Sequence, residues 1–122
     1  MLRSDYMKLT RILSISLIAY SLFGQKALSQ QVNCCGFSER QARLVNSNIL
    51  SLYCLKKFNN PYLPKFRRIL VKTLSKEGVS TLQFDQQQKE YFTDSLVLDL
   101  LAAKKWNGGC KGISDEWGKI LR

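Results

Sequence analysis

The stretch from Ser38 to Lys57 reads SERQARLVNSNILSLYCLKK, and its periodicity sets the fold class. Ala42, Val45, Ile49, Leu52 and Tyr53 recur at three- and four-residue steps, the spacing that lines side chains along one face of an α-helix. Ser38 followed by Gln41 is the signature of a capping box, in which each side chain satisfies the other residue's backbone N–H. Spacing and cap together predict a helix from Ser38 to Lys57. Asn46, Ser47 and Asn48 interrupt the apolar stripe with weak helix formers, so a bend is expected there.

Working outward toward the C-terminus, a second helix is expected after Asn59-Asn60-Pro61. Asn60 serves as its cap and Pro61 opens its first turn, or the start slips to Pro64. It ends at Glu77, because Gly78 suits the left-handed closing residue. Leu63, Phe66, Ile69, Leu70, Thr73 and Leu74 make its inner face. A third helix is predicted from Asp85, with Gln88 completing a capping box, to about Trp106, where Asn107-Gly108-Gly109 stops it. Its apolar residues, Tyr91, Phe92, Leu96, Val97, Leu100, Leu101 and Ala103, form a wide surface of the kind a central bundle helix carries. Ile113 to Leu121, with Trp117, is expected as a short final turn of helix. Val79-Ser80-Thr81-Leu82 is β-prone but has no partner strand. Short links imply antiparallel neighbours. The predicted fold is therefore all-α: a small antiparallel three-helix bundle with a short C-terminal helical turn, stabilised by disulfide.

Toward the N-terminus, residues 1–29 read as a secretory signal. Arg3, Lys8 and Arg11 precede an uncharged apolar run from Ile12 to Gly24, and Ala27 and Ser29 place small residues at a cleavage site. Cleavage leaves Gln30 to Arg122 as a single helical domain, exported to the periplasm or secreted. The competing reading is a retained anchor through residues 12–24. Arg11 and Lys26 bracket only 14 uncharged residues, short of the about 20 that span a bilayer.

The chain has no histidine. That excludes Ser/His/Asp and Cys/His catalysis and removes the commonest zinc ligand. No metal site, cofactor or catalytic residue is predicted, and the chain is read as a non-enzyme. Of its 19 Lys and Arg and 9 Asp and Glu, four bases and one acid fall in the signal, so the domain keeps 15 bases against 8 acids. From Arg40 to Lys76 there are nine basic residues and no acid; from Glu77 to Asp99 there are five acids against Lys89 alone. Lys65, Arg68, Lys72 and Lys76 share one face of the second helix, opposite its apolar stripe. With Lys56 and Lys57 they form the predicted basic binding face. The plain alternative is a solvated face partly neutralised by the third helix.

All four cysteines, Cys34, Cys35, Cys54 and Cys110, lie in the exported part, where oxidation is expected. A continuous first helix separates Ser38 from Cys54 by about 24 Å, while Cys35 reaches back only about 10 Å. Cys54 and Cys110 belong to the same end of the bundle, which predicts a Cys54–Cys110 disulfide. Cys34 and Cys35 are then left together. Adjacent Cα atoms are about 3.8 Å apart, inside the about 4.4–6.8 Å of ordinary disulfides. Either the first helix breaks at Asn46–Asn48 and one of the pair reaches Cys54, or the pair is free, strained or intermolecular and available for thiol exchange.

These readings lead to a small exported basic helical protein that binds an acidic protein partner. A cationic protein acting on an anionic membrane surface, or a thiol/disulfide protein using Cys34 and Cys35, are the alternatives. Export argues against nucleic acid.

Overall fold

The computed structural model describes residues 33–122. The expected signal and its cleavage site lie outside the described residues. Within them five helices follow in order: α1 Glu39–Lys57, α2 Leu63–Lys76, α3 Thr81–Tyr91, α4 Ser95–Lys105 and α5 Gly109–Leu121. The described residues contain no strand.

α1 starts as its cap requires. Ser38 Oγ accepts the Gln41 N–H at 3.1 Å, and Gln41 Oε1 accepts the Ser38 N–H at 2.9 Å. Glu39 in the first turn and Lys56 and Lys57 in the last complement the helix dipole. The Asn46-Ser47-Asn48 triplet lies within one continuous helix, as the pairing of Cys54 with Cys110 requires, and is buried. Much of its polarity is met locally and across the core. Ser47 Oγ and Asn48 Nδ2 donate to the Leu44 carbonyl at 3.1 and 2.8 Å, and Asn46 Oδ1 accepts from Gln87 Nε2 at 3.0 Å. α1 packs against all four other helices. It, rather than the predicted third helix, is the centre of the fold.

α2 closes on a Schellman pattern at Gly78, whose φ of +74° suits glycine. Gly78 N–H donates to Ser75 O and Val79 N–H to Leu74 O, at 3.1 and 2.9 Å. Pro64 stands in the first turn. Phe66, Leu70 and Leu74 are buried, whereas Ile69, expected inside, is 37% exposed.

The expected bundle of three helices is corrected to five among the described residues, because the region from Asp85 to Trp106 is two helices and the expected final turn is a helix of its own. α3 begins earlier than predicted, since Ser80 and Gln83 form the capping box that starts it. The β-prone run Val79–Leu82 is therefore its cap and first turn. Asp94 then interrupts the helix: its carboxylate accepts the Leu96 N–H at 3.0 Å and caps α4. A short acidic side chain offers the backbone this alternative to a continuous helix. The break rotates the apolar face. Leu98, Leu101 and Ala102 go inside, while Leu96, Val97 and Leu100 face solvent, Leu100 being 54% exposed.

The expected short final turn is a full helix. α5 buries Cys110, Ile113, Trp117, Ile120 and Leu121 on one stripe. Trp117 meets Phe66 of α2 edge-on, with ring centroids 4.9 Å apart. A Cβ at Gly112 would run into the Asn107 carbonyl oxygen and the Trp106 ring, so glycine is what lets α5 start this close to the end of α4. At the α1–α2 corner, Asn60 Nδ2 donates to Ser114 O and Oγ at 2.9 and 3.1 Å, tying that turn to α5.

Candidate functional site

The cysteines sit at opposite ends of α1. Cys54, in its last turns, is bonded to Cys110 in the first turn of α5, with sulfurs 2.02 Å and Cα atoms 5.1 Å apart. Cys34 and Cys35 are bonded to each other, S–S 2.05 Å and Cα–Cα 3.7 Å. The sequence leaves the pairing of these two open; the structure joins them as a second disulfide. Neither reaches Cys54, and no described cysteine is free.

The vicinal pair is seated on α3. Cys34 N–H donates to Gln87 Oε1 at 2.9 Å, and the fully buried Gln87 passes the connection to Asn46 in α1. Asn33 Oδ1 accepts the Phe37 N–H at 2.8 Å and holds the turn between the pair and α1. The Cys34 sulfur lies 3.7 Å from the Gln83 carbonyl oxygen; the Cys35 sulfur lies 3.5 Å from Gln86 Oε1. Gln83, Gln86 and Gln87 share one side of α3 at helical spacing, a signal present in the sequence that sequence reasoning missed.

The six residues of the predicted basic face divide into two groups. Lys57 is exposed but ion-paired within the chain, with Nζ 2.8 Å from both Asp99 oxygens. Lys65 Nζ donates to the Leu121 carbonyl at 2.6 Å and so closes the C-terminal end of α5. Lys56, Arg68, Lys72 and Lys76 are exposed and make no ion pair among the described residues. Of the acids that follow α2 in the chain, Glu77 pairs with Arg40 and Asp99 with Lys57, and the α2 cations are passed over.

The Lys57 contact belongs to a cluster that sequence reasoning missed. Tyr53 and Lys57, one turn apart on α1, converge on Asp99 of α4; the Tyr53 hydroxyl donates to Asp99 Oδ1 at 2.8 Å. The Lys57 ammonium, and then the Tyr53 hydroxyl, hold the Asp99 carboxyl below the usual carboxylate range. The same carboxylate pushes Lys57 up. Burial, then Asp99, pushes the Tyr53 phenol up. Each partner stabilises the other's native charge state, as a structural clasp between α1 and α4 does.

An open cleft of about 490 Å³ lies where α4 meets α5, lined by Trp106, Asn107 and Gly112 and by Lys105, Asp115, Glu116 and Lys119. Its charges are mixed in sign and select for neither anion nor cation. Among the described residues no group of acidic or cysteine side chains could hold a metal ion, and no helix is long and apolar enough to cross a membrane. The two disulfides are compatible with an exported protein.

Comparison with protein-family models, curated proteins and solved structures finds no match to this chain.

Proposed function

We propose that the protein is a non-enzymatic binding module, exported from the cell, that recognises an acidic surface on a protein partner through the outer face of α2. The observation that carries this reading is the stripe of Arg68, Lys72 and Lys76. These side chains are exposed, share one face over about 12 Å, and face no acid within a helix that contains none. Cations left without internal partners raise the local potential and steer acidic partners by long-range attraction.

The same helix weighs against the membrane alternative. Its apolar stripe, Phe66, Leu70 and Leu74, is already buried in the core, so α2 has no continuous apolar face to insert into a bilayer. An acidic polypeptide needs only the cations.

The test uses poly-glutamate and vesicles of anionic lipid as parallel probes. Binding to poly-glutamate at low salt is expected, falling as salt shortens the screening length. The triple variant R68E/K72E/K76E should bind at least about tenfold more weakly. Vesicle leakage, or equal binding by the triple variant, would overturn the proposal.

A further inference from the structure

The two disulfides of this protein have different physical roles. Cys54–Cys110 links residues 56 apart in sequence and is buried, with Cys54 fully inaccessible. It restricts the unfolded chain and is sheltered from reagents. Cys34–Cys35 links neighbours, so it closes no loop and restricts the unfolded chain hardly at all. It is also partly exposed, at the surface of α3. A bond that adds little to global stability and stands within reach of solvent needs another reason to be seated so specifically.

The seat supplies one. The Gln83 carbonyl oxygen and Gln86 Oε1 lie within sulfur hydrogen-bonding distance of Cys34 and Cys35. A disulfide sulfur has no hydrogen to give them. A thiol does, and both oxygens are acceptors. The surroundings therefore accommodate the reduced pair as well as the oxidised one. In addition, the Cys34 N–H is bonded to Gln87, and Gln87 to Asn46 of α1. The pair is thus seated on a side chain that itself reaches the central helix.

We propose that Cys34–Cys35 is a reversible redox site that exchanges electrons with a dithiol reductant. A thiolate of the reductant attacks Cys35 Sγ; the S–S bond breaks, Cys34 leaves as thiolate, and a mixed disulfide forms. The reductant's second thiolate attacks its own sulfur in that mixed disulfide and releases Cys35. Overall the reductant becomes a cyclic disulfide, and the protein gains two electrons and two protons as a dithiol. The resulting S–H groups donate to Gln83 and Gln86. The site is independent of the basic face on α2.

The full chain is titrated with dithiothreitol, quenched by alkylation, and mapped by mass spectrometry. Cys34 and Cys35 are expected to become alkylated at about tenfold lower reductant than Cys54 and Cys110, or less. Oxidised glutathione should then restore the intramolecular pair in the monomer. Simultaneous reduction of both disulfides, reduction only on unfolding, or reoxidation to linked dimers would overturn the proposal. The variant C34S/C35S keeps Cys54–Cys110 and should lose the alkylation seen at low reductant; alkylation of the remaining cysteines at that same low reductant would overturn the assignment.

Discussion

Replacing Cys54 and Cys110 together by alanine is expected to remove about 4 kcal/mol of stability in the chain-entropy description. The figure follows from the sequence separation of 56 residues between them. Without the bond, the unfolded chain regains the freedom of that whole loop. The described part of the protein carries an unfolding entropy of roughly 0.19 kcal/mol per kelvin at typical per-residue values. The loss therefore corresponds to a fall in Tm of about 20 °C. Loss of two buried sulfurs adds to the effect and does not oppose it. Thermal and urea unfolding followed by far-UV circular dichroism measure both quantities. The variant should keep its helical signal at low temperature. A loss below about 1.5 kcal/mol, with an unchanged denaturant slope, would refute the view that this crosslink acts mainly on the unfolded chain.

Gly112→Ala should cost about 1–3 kcal/mol, because the new methyl meets a backbone carbonyl and an indole ring at the α4–α5 corner; urea midpoints would show it, and an unchanged midpoint would mean the corner relaxes freely. For the clasp between α1 and α4, the sign follows from the direction of each shift. Asp99 is held below its usual range, so its contribution is present at neutral pH and is lost as pH falls through its native pKa; Lys57 and Tyr53 are pushed up, so theirs is lost as pH rises through their native values. Asp99→Asn should therefore flatten the dependence of Tm on pH at both extremes, and profiles parallel to those of the parent protein would contradict the clasp.

Helix starts and stops were readable where the chain announces them locally. Ser38 with Gln41 and Gly78 after α2 act through neighbouring backbone groups, and such signals survive without knowledge of the rest of the fold. The Ser80-Gln83 box was of the same kind, but the β-branched and apolar residues around it drew the reading away. The Asp94 cap was masked because apolar residues continue with helical periodicity on both sides of it. Periodicity cannot register a break that leaves the spacing intact. The centrality of α1 was hidden for a different reason. Asn46, Ser47 and Asn48 look solvent-bound in sequence, and only their partners on Leu44 and Gln87 explain how they are buried. The cationic stripe could be placed on one face from sequence alone. Which cations the fold would neutralise could not, since Asp99 reaches Lys57 and Glu77 reaches Arg40 only through tertiary packing.

The position of α1 has a consequence for how the molecule opens. The middle of α1, from Val45 to Leu52, is buried all round, whereas each neighbour has solvent on its outer side. α3 can lift from α1 alone, and α2 can follow once Phe66 parts from the Trp117 ring. α4 and α5 rest on each other as well as on α1 and come away as a pair. Small excursions thus proceed from the periphery inward, each exposing a different wall of the central helix. The two crosslinks guard opposite ends of that sequence of events. One fastens α5 to the last turns of α1, and the other lies ahead of the first turn of α1, at the surface of α3.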